Sequence, residues 1–205
     1  MLTALDSAMR RHQTQLKINK LKAMKQEAEN WMLEHPWRPF QRVAWRILEE
    51  GARDYIYWIK DPVGGRGKTT MKKIFFLFHP KDTVILSETT KKDILHIALK
   101  IEDRNYIIFD FAMGTEMTNI DYTTIENLHD NVFSSGKYDG DQTVDRMPRL
   151  ICLANQEPQW SKVRLSRWRF TEVTGEDAPL KWSRVVKNDS EEIQFEDVEV
   201  TYSDI

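Results

Sequence analysis

Residues 61–70 read Asp61-Pro62-Val63-Gly64-Gly65-Arg66-Gly67-Lys68-Thr69-Thr70, and they indicate the fold more strongly than any other part of the chain. Glycines have no Cβ, so backbone N–H groups in such a loop can approach a polyphosphate closely. Lys68 supplies a positive charge for the β and γ phosphates, and the hydroxyl of Thr69 is suited to bind Mg²⁺. The stretch is therefore predicted to bind the phosphates of a nucleotide together with Mg²⁺. The predicted nucleotide-binding residues are Gly64, Gly65, Arg66, Gly67, Lys68, Thr69 and Thr70.

The residues on either side of this loop support the same interpretation. An apolar run at 55–59 predicts a buried strand before the loop, and residues 69–78 predict a helix after it. In that order the N-terminus of the helix faces the bound anion. The usual pattern G-x-x-x-x-G-K-[ST] would place a glycine at position 62, where Pro62 stands, directly after Asp61. A glycine-rich loop with no nucleotide role is the alternative interpretation.

Short apolar strands alternate with helical patterns along the middle of the chain. Strands are predicted at 55–59, 83–86, 106–109 and 150–153, and helices at 69–78, 91–101 and 123–132. Strands that are apolar throughout and separated by helices indicate a parallel sheet covered on both faces. The predicted fold class is therefore α/β, a P-loop NTPase sheet with flanking helices.

The two ends of the chain differ in character from this core. Residues 1–50 predict a separate helical segment, in which the helices are broken near Pro36 and Pro39. Six Lys or Arg residues and no acid lie between Arg10 and Lys25, which indicates either a solvated helix face or contact with a polyanion. The core domain is predicted at 51–175. Residues 176–205 are predicted to form an acidic tail, although the apolar alternation at 193–202 would also suit an edge strand.

Composition excludes several classes of protein. The 205 residues have a net charge of −2, so any binding of nucleic acid must come from local patches rather than overall basicity. The single cysteine, Cys152, lies in an apolar run and indicates a buried thiol in a reducing compartment. No apolar run approaches the roughly 20 residues that a membrane span requires. We expect a soluble intracellular protein with no membrane partner.

Hydrolysis of ATP requires a metal-holding acid and a polar group that senses the γ-phosphate. The strand pattern at 106–109 is followed by Asp110, which would hold Mg²⁺ together with Thr69. Asn155 follows the next strand, at the sheet edge where parallel sheets bind ligands, although a turn-capping role is equally consistent. Arginines surround Trp168, and one of them would suit an arginine finger acting on a neighbouring subunit; a surface basic patch is the alternative.

These motifs occur in an order that resembles the helicase domain of replication-associated proteins of circular single-stranded DNA viruses, within the superfamily-three AAA+ ATPases. The matching segments are Gly64–Thr70, Ile107–Phe111, Ser135–Tyr138, Ala154–Pro158 and Leu165–Trp168, so the resemblance covers roughly residues 55–172. It implies that Lys68 and Thr69 bind ATP and Mg²⁺, that Asp110 holds the metal, that Asn155 is the sensor, and that Arg167 is the finger. Many members carry a second acid after the Asp, where Phe111 stands here. The general base is therefore unassigned, with Glu116 and Glu88 as candidates.

The resemblance also implies how DNA would be held. Residues 133–144 predict a hairpin, with Asp139-Gly140 as its turn and Thr143-Val144 in the return strand. Lys137 and Tyr138 on that hairpin correspond to the pore loop, where a cation and an aromatic ring grip single-stranded DNA. The family's rings imply a homo-oligomer, expected to be a hexamer, in which the helices of residues 1–50 form the oligomerisation or collar segment. The resemblance also implies a location in the nucleus of the host cell.

The nuclease of the family's full-length members is not expected in this chain. That nuclease requires two histidines flanking one hydrophobic residue, and no two of the five histidines here are two residues apart. Only about 50 residues precede the predicted core.

Three other functions remain open from the residues. A nucleotide-binding assembly scaffold with no motor activity would explain Phe111 in place of an acid. An RNA helicase of a positive-strand RNA virus shares the same residue chemistry. A nucleoside or small-molecule kinase would need an acceptor pocket and would behave as a monomer.

Overall fold

The structure, a computed structural model, describes residues 2–87, 90, 94, 97, 105–130, 132–134, 142–144, 147–175 and 177–199. Its helices are α1 (Leu2–Glu34), α2 (Pro39–Glu50), α3 (Lys68–Phe78) and α4 (Tyr122–Asp130). Its strands are β1 (Ile56–Lys60), β2 (Thr83–Leu86), β3 (Tyr106–Asp110), β4 (Val132–Ser134), β5 (Gln142–Val144), β6 (Arg149–Ala154), β7 (Trp168–Glu172), β8 (Trp182–Lys187) and β9 (Ile193–Val198). Short 3₁₀ turns occur at Met117–Asn119, Trp160–Lys162 and Leu165–Arg167.

Seven strands form one sheet in the order β2-β3-β6-β1-β7-β8-β9. The first five are mutually parallel, whereas β8 and β9 are added antiparallel at one edge. The α/β class, with a mostly parallel sheet and flanking helices, is confirmed. This architecture is compatible with a P-loop fold.

Both faces of the sheet are buried, as apolar parallel strands predict. Alternate residues of β1 enter opposite hydrophobic clusters: Ile56 and Trp58 pack on one face, Tyr57 and Ile59 on the other. The buried side of α2, including Ile47, covers the second face and joins that cluster. The strand that leads into residues 61–70 is therefore held rigidly at the centre of the core.

The two N-terminal helices differ in how far they are packed. Residues 35–38 separate them, as predicted, and α2 begins at Pro39, where the missing N–H of proline is tolerated. Every residue at 7–20 of α1 is exposed, whereas Ala28 is buried and the Lys25 ammonium lies 4.4 Å from the centre of the Phe78 ring in α3. Only the last third of α1 therefore contacts the core. The division at residues 51 and 175 stays a prediction.

The C-terminal region differs from the main sequence-based expectation. Residues 182–187 and 193–198 are paired strands, with Trp182 opposite Val198 and Lys187 opposite Ile193. The edge-strand alternative for the acidic segment is thus the one observed for β9, and it is stabilised by the cross-strand ion pair between Arg184 and Glu196. Strands β7 and β8 were not predicted.

Two of the predicted helices lie in the middle of the chain, after β2 and after β3. The helix expected at 123–132 ends at Asp130, because Val132 already begins β4. Of the helix expected at 91–101, only Ile94 and Ile97 lie among the described residues, and both are helical. No helix in the described part of the chain has the length and apolar character needed to cross a membrane.

Candidate active site

The loop between β1 and α3 has the backbone form of a phosphate cradle. Gly64, Gly65 and Gly67 have φ angles of 74°, 70° and 94°, a left-handed conformation that favours glycine over other residues. A Cβ at Gly65 would meet nothing within 4 Å, so the loop is open on that side. Helix α3 begins at Lys68, and the N–H groups of its first turn have no partners within the helix. Together the loop and the helix N-terminus present N–H groups to an anion.

Helix α2 supports this loop from behind. The Gln41 side chain is buried, and its Nε2 donates a hydrogen bond to the carbonyl of Gly67 (3.0 Å). A Cβ at Gly67 would lie 2.6 Å from the same Nε2 atom. Position 67 therefore favours glycine for its backbone angle, and a Cβ there would also displace the Gln41 side chain from its hydrogen bond.

Asp61, at the end of β1, is the centre of the loop's polar contacts. Its side chain is fully buried, its Oδ2 lies 2.8 Å from Lys68 Nζ, and its Oδ1 accepts the N–H of Gly64 (3.1 Å). The sequence marked Asp61 only as a departure from the usual motif. Its role as the partner of Lys68 is visible only in three dimensions.

Arg66 contacts the body of the protein rather than the open side of the loop. Its guanidinium donates to the carbonyl of Val173, just after β7, and its Nη1 lies 3.5 Å from Asp61 Oδ1. Only 9% of Arg66 is exposed. The arginine therefore ties the loop to the end of β7, while its backbone N–H remains part of the loop.

Lys68 and Asp110 lie at the same end of the sheet, where the parallel strands have their carboxyl ends. Lys60 at the end of β1 pairs with Ala154 of β6, and Asp110 at the end of β3 pairs with Leu153 of the same strand. The two strand ends are thus two strand spacings apart, about 10 Å. Lys68 and Asp110 therefore do not lie at opposite ends of the strands, an arrangement that would prevent both from contacting one ligand.

Helix α3 brings a second lysine to Asp110. Lys72, four residues after Lys68, forms an ion pair with Asp110 Oδ2. Residues four apart lie on the same side of a helix, about 6 Å apart along its axis. Asp110 therefore contacts the side of α3 on which Lys68 also lies. Sequence reasoning missed Lys72, since one lysine in a basic helix gives no signal of its own.

Asn155 lies between these two groups, at the tip of β6. Its Nδ2 donates to the backbone carbonyl of Asp61 (2.6 Å), and a Cβ at Gly64 would lie 3.4 Å from the same nitrogen. The amide therefore borders the loop directly. Here it fixes the start of the loop, which is a structural role beside the predicted sensor role.

The residue after Asp110 belongs to the core. Phe111 is 1% exposed and stacks on Trp58 and Phe109. Of the candidate bases, Glu116 accepts a hydrogen bond from Asn119 Nδ2 (2.9 Å), and Glu88 lies outside the described residues. The structure therefore gives a packing reason for Phe111 and assigns no base.

Lys60 is a further cation beside the site. Its Nζ lies 3.0 Å from Glu157 Oε1 and 2.8 Å from Glu172 Oε2. Burial lowers the pKa of Lys60, but the hydrogen bonds to Glu172 and Glu157 outweigh this effect and raise its pKa above the usual value. Lys60 therefore stays charged and joins the ends of β1 and β7 to the loop after β6.

Arg167 lies at the amino ends of the parallel strands, opposite to the carboxyl ends where Lys68 of the same chain lies. It immediately precedes β7, whose Trp168 pairs with Ile56 at the start of β1. The five residues of β7 span about 17 Å. The Arg167 guanidinium forms an ion pair with Asp130 of α4. It does not approach the phosphate loop of its own chain.

The predicted DNA-binding hairpin is observed in part. Strands β4 and β5 pair antiparallel, with Val132 opposite Val144 and Ser134 opposite Gln142, so the predicted return strand is confirmed. Lys137 and Tyr138 lie outside the described residues.

A metal ion at this end of the sheet would need ligands from outside the protein to complete its shell. Among the described residues there is no group of three or more His, Cys, Asp or Glu side chains placed to hold a metal ion. Mg²⁺ in phosphate sites is bound through one or two protein oxygens, with phosphates and water completing its shell. Thr69 at the start of α3 and Asp110 beside that helix match this requirement.

Comparison with known proteins shows similarity to viral replication proteins. The chain is 28% identical over 135 residues to the master replication protein of Subterranean clover stunt virus (strain F), a match that covers 66% of this chain and 44% of that protein. It is 27% identical over 135 residues to the master replication protein of Faba bean necrotic yellows virus (isolate Syrian SV292-88), again over 66% and 44%. A third, from Milk vetch dwarf virus (isolate N), is 27% identical over 130 residues, 63% of this chain and 43% of that protein.

The chain therefore spans less than half the length of these relatives. No protein-family model matches it. These three proteins support the resemblance, inferred above from motifs, to replication-associated proteins of circular single-stranded DNA viruses.

Proposed function

We propose that this chain is a Mg²⁺-dependent ATPase of the AAA+ type that assembles into a ring, moves along single-stranded DNA and unwinds duplex DNA during rolling-circle-type viral replication. One observation carries the proposal. Lys68, Asp110 and Asn155 reach one edge of the sheet around a glycine-rich loop, while Arg167 lies at the opposite edge. A site divided in this way is complete only when two copies meet.

Each group at the loop has a distinct task in holding the nucleotide. Loop N–H groups and the N-terminus of α3 orient the phosphates, and Lys68 neutralises their charge. Thr69 and Asp110 hold Mg²⁺, which when bound offsets the negative charge shared by the β and γ phosphates. The Asn155 amide, already fixed beside Gly64, orients the attacking water. Glu116 and Glu88 remain the candidates for the general base.

Arg167 completes the site of the neighbouring subunit. At about 17 Å from the loop edge of its own sheet, it is too distant to reach its own nucleotide. In a closed ring, one surface of each subunit contacts a different surface of its neighbour. The surface that carries Arg167 would then contact the phosphate loop of the adjacent subunit. The exposed part of α1, residues 7–20, is available to join subunits, and we expect a hexamer.

DNA is gripped by the β4–β5 hairpin in this proposal. Lys137 contacts a phosphate and Tyr138 stacks on a base, which holds a single strand without sequence preference. The similarity to master replication proteins supports a role in viral DNA replication. The proposal places that role in the nucleus of the host cell.

The experiment that tests the proposal is ATP hydrolysis measured with and without single-stranded DNA. The wild-type chain is expected to hydrolyse ATP only with Mg²⁺, and faster when DNA is present. Lys68→Ala should abolish hydrolysis, whereas Lys73→Ala, which removes an exposed lysine from the same helix, should leave it intact. Hydrolysis that survives Lys68→Ala at the wild-type rate would show that the site is assigned wrongly.

A second candidate function is an assembly scaffold that binds nucleotide without motor activity. The buried Phe111, which occupies the position of a second acid, is the observation that favours it. Strand displacement separates the two functions, because a scaffold would assemble with ATP and unwind nothing. Displacement of strands from RNA but not DNA duplexes would instead favour an RNA helicase. A monomeric protein with phosphotransfer activity would favour a kinase.

A further inference from the structure

The phosphate loop contains its own buried anion. Asp61 is 0% exposed, and both of its carboxylate oxygens are engaged by groups of the loop or of α3. Lys68 Nζ lies 2.8 Å from Oδ2, while Gly64 N–H (3.1 Å) and Arg66 Nη1 (3.5 Å) approach Oδ1. These are the lysine and one of the N–H groups that the proposed function assigns to nucleotide phosphates.

A buried carboxylate in this position has two opposite effects. It compensates Lys68, which is only 11% exposed and would otherwise be a poorly solvated charge. It also places a negative charge beside the path of a triphosphate, and like charges repel strongly where water is excluded. When phosphate enters, Lys68 turns toward it, and the Asp61 carboxylate loses its best partner.

Arg66 is placed to remain with Asp61 after that exchange. Its guanidinium is held at the carbonyl of Val173 and lies beside Asp61 Oδ1. Because it is anchored to the end of β7, Arg66 has no need to move when the loop binds an anion. Asp61 therefore keeps one cation in either state, and only Lys68 changes partner.

We propose that Asp61 is an internal counter-ion of the phosphate loop, which holds Lys68 in the nucleotide-free protein and lowers the affinity for nucleotide. The inference rests on the proposed binding of nucleotide at this loop. Asp61 is a positioning residue in this account, because it acts through Lys68 and does not touch the nucleotide. A purely structural residue would act with the opposite sign, since its loss would weaken binding.

Calorimetric titration of Mg²⁺-ADP into wild-type and Asp61→Asn protein tests the sign directly. Asn keeps the shape of the side chain and removes its charge. Asp61→Asn is expected to bind at least about tenfold more tightly, because the competing charged hydrogen bond to Lys68 is weakened. The same variant should melt at a lower temperature than wild type without nucleotide. Affinity that is unchanged or weaker in Asp61→Asn overturns the inference.

Asp54→Asn is the matched control. Asp54 is exposed and precedes β1, so it lies at the other end of the strand that Asp61 follows. The two variants carry the same chemical change and the same change in net charge. Asp54→Asn is expected to leave both the affinity and the melting temperature as in wild type.

A second measurement does not depend on nucleotide binding. Acylation of lysines, followed by mass spectrometry, should modify Lys68 much more slowly than exposed Lys73 in the nucleotide-free wild type, and Asp61→Asn should accelerate modification of Lys68 alone. Equal rates at Lys68 and Lys73 in wild type would overturn the inference, even if Asp61→Asn cannot be purified folded. A wild-type chain that binds no nucleotide would instead contradict the proposed function.

Discussion

Arg167 and Lys68 are expected to act on one nucleotide from two different subunits. Arg167 precedes β7, and Lys68 follows the loop at the other end of neighbouring β1. The parallel register of these strands places Arg167 about 17 Å, measured along the strands, from the end of β1 where the phosphate loop begins. Substituting either residue with alanine should therefore disable the same catalytic centre from opposite sides of a subunit contact.

The expected loss of ATP hydrolysis follows from how the subunits pair. Arg167→Ala alone is expected to reduce hydrolysis by about 10³-fold or more, the effect typical of an arginine finger. In a one-to-one mixture with Lys68→Ala, a centre works only where an intact Lys68 meets an intact Arg167. Each condition holds for half of the subunits, so about one quarter of the centres should be active, whatever the size of a closed ring.

Phosphate release from the mixed subunits is the assay, after sizing shows that each variant still assembles. The stability of Arg167→Ala should change little, because its ion pair with Asp130 is partly exposed and such pairs contribute about 0–1 kcal/mol. Arg169→Ala is the control, since that guanidinium packs 3.5 Å from the centre of the Tyr55 ring instead. If the mixture stays inactive while both variants assemble, or if Arg167→Ala alone keeps wild-type activity, the division of the site between subunits is refuted.

Three further predictions concern the core, the pH dependence and DNA. Trp168 is fully buried and its Nε1 donates a hydrogen bond to Glu126 (3.1 Å), so Trp168→Ala should lower the unfolding free energy by about 3–5 kcal/mol in a denaturant titration. Leu33→Ala, at a position that is 87% exposed, should change it by about 0.5 kcal/mol or less. Burial lowers the pKa of His129 and is only partly opposed by the Asp130 carboxylate, so the unfolded chain takes up the proton first as the pH falls below about 6.5. Stability should then fall by up to about 1.4 kcal/mol per pH unit, and a His129→Gln variant that loses none of this slope would contradict the prediction. Lys137→Ala should weaken binding of single-stranded DNA and reduce its salt dependence by about one phosphate contact in fluorescence anisotropy, and an unchanged salt dependence would remove Lys137 from the DNA surface.

The parts of the fold that were predicted from sequence are those with a local signal. Continuous apolar runs can be recognised as strands without knowledge of the strands they pair with. Four of the observed strands consist mainly of such runs, at 56–60, 83–86, 106–110 and 149–154. Strand order carries no such signal, because pairing joins segments far apart in the chain. The position of β6 between β1 and β3 therefore emerged only in the structure.

The strands that were missed alternate charged with apolar residues. In β7, Arg169 and Glu172 interrupt the apolar pattern, and the neighbouring arginines directed attention to a basic cluster. The edge strand β9 is mostly exposed and acidic, and for that reason a strand was only the alternative to a tail in the sequence-based prediction. Its partner β8 supplies the basic side chain of the Arg184–Glu196 pair, a long-range complement that no window of sequence contains.

At the candidate site, sequence predicted the backbone cradle and missed the charge pairs. Glycine spacing is a local property, and the positive φ angles follow from it. The pairs Lys68–Asp61 and Lys72–Asp110 depend on how α3 lies against the ends of β1 and β3, which is a property of packing. For that reason the partner of each predicted site residue was found only in three dimensions.

The shared role of Lys68 and Asp110 is tested most directly by a crystal structure with a non-hydrolysable ATP analogue and Mn²⁺, in which anomalous scattering locates the metal. The account predicts manganese bound by the hydroxyl of Thr69 and held by Asp110, directly or through one water, with the Lys68 ammonium on the phosphates. A nucleotide seated elsewhere, or manganese remote from Asp110, would contradict it.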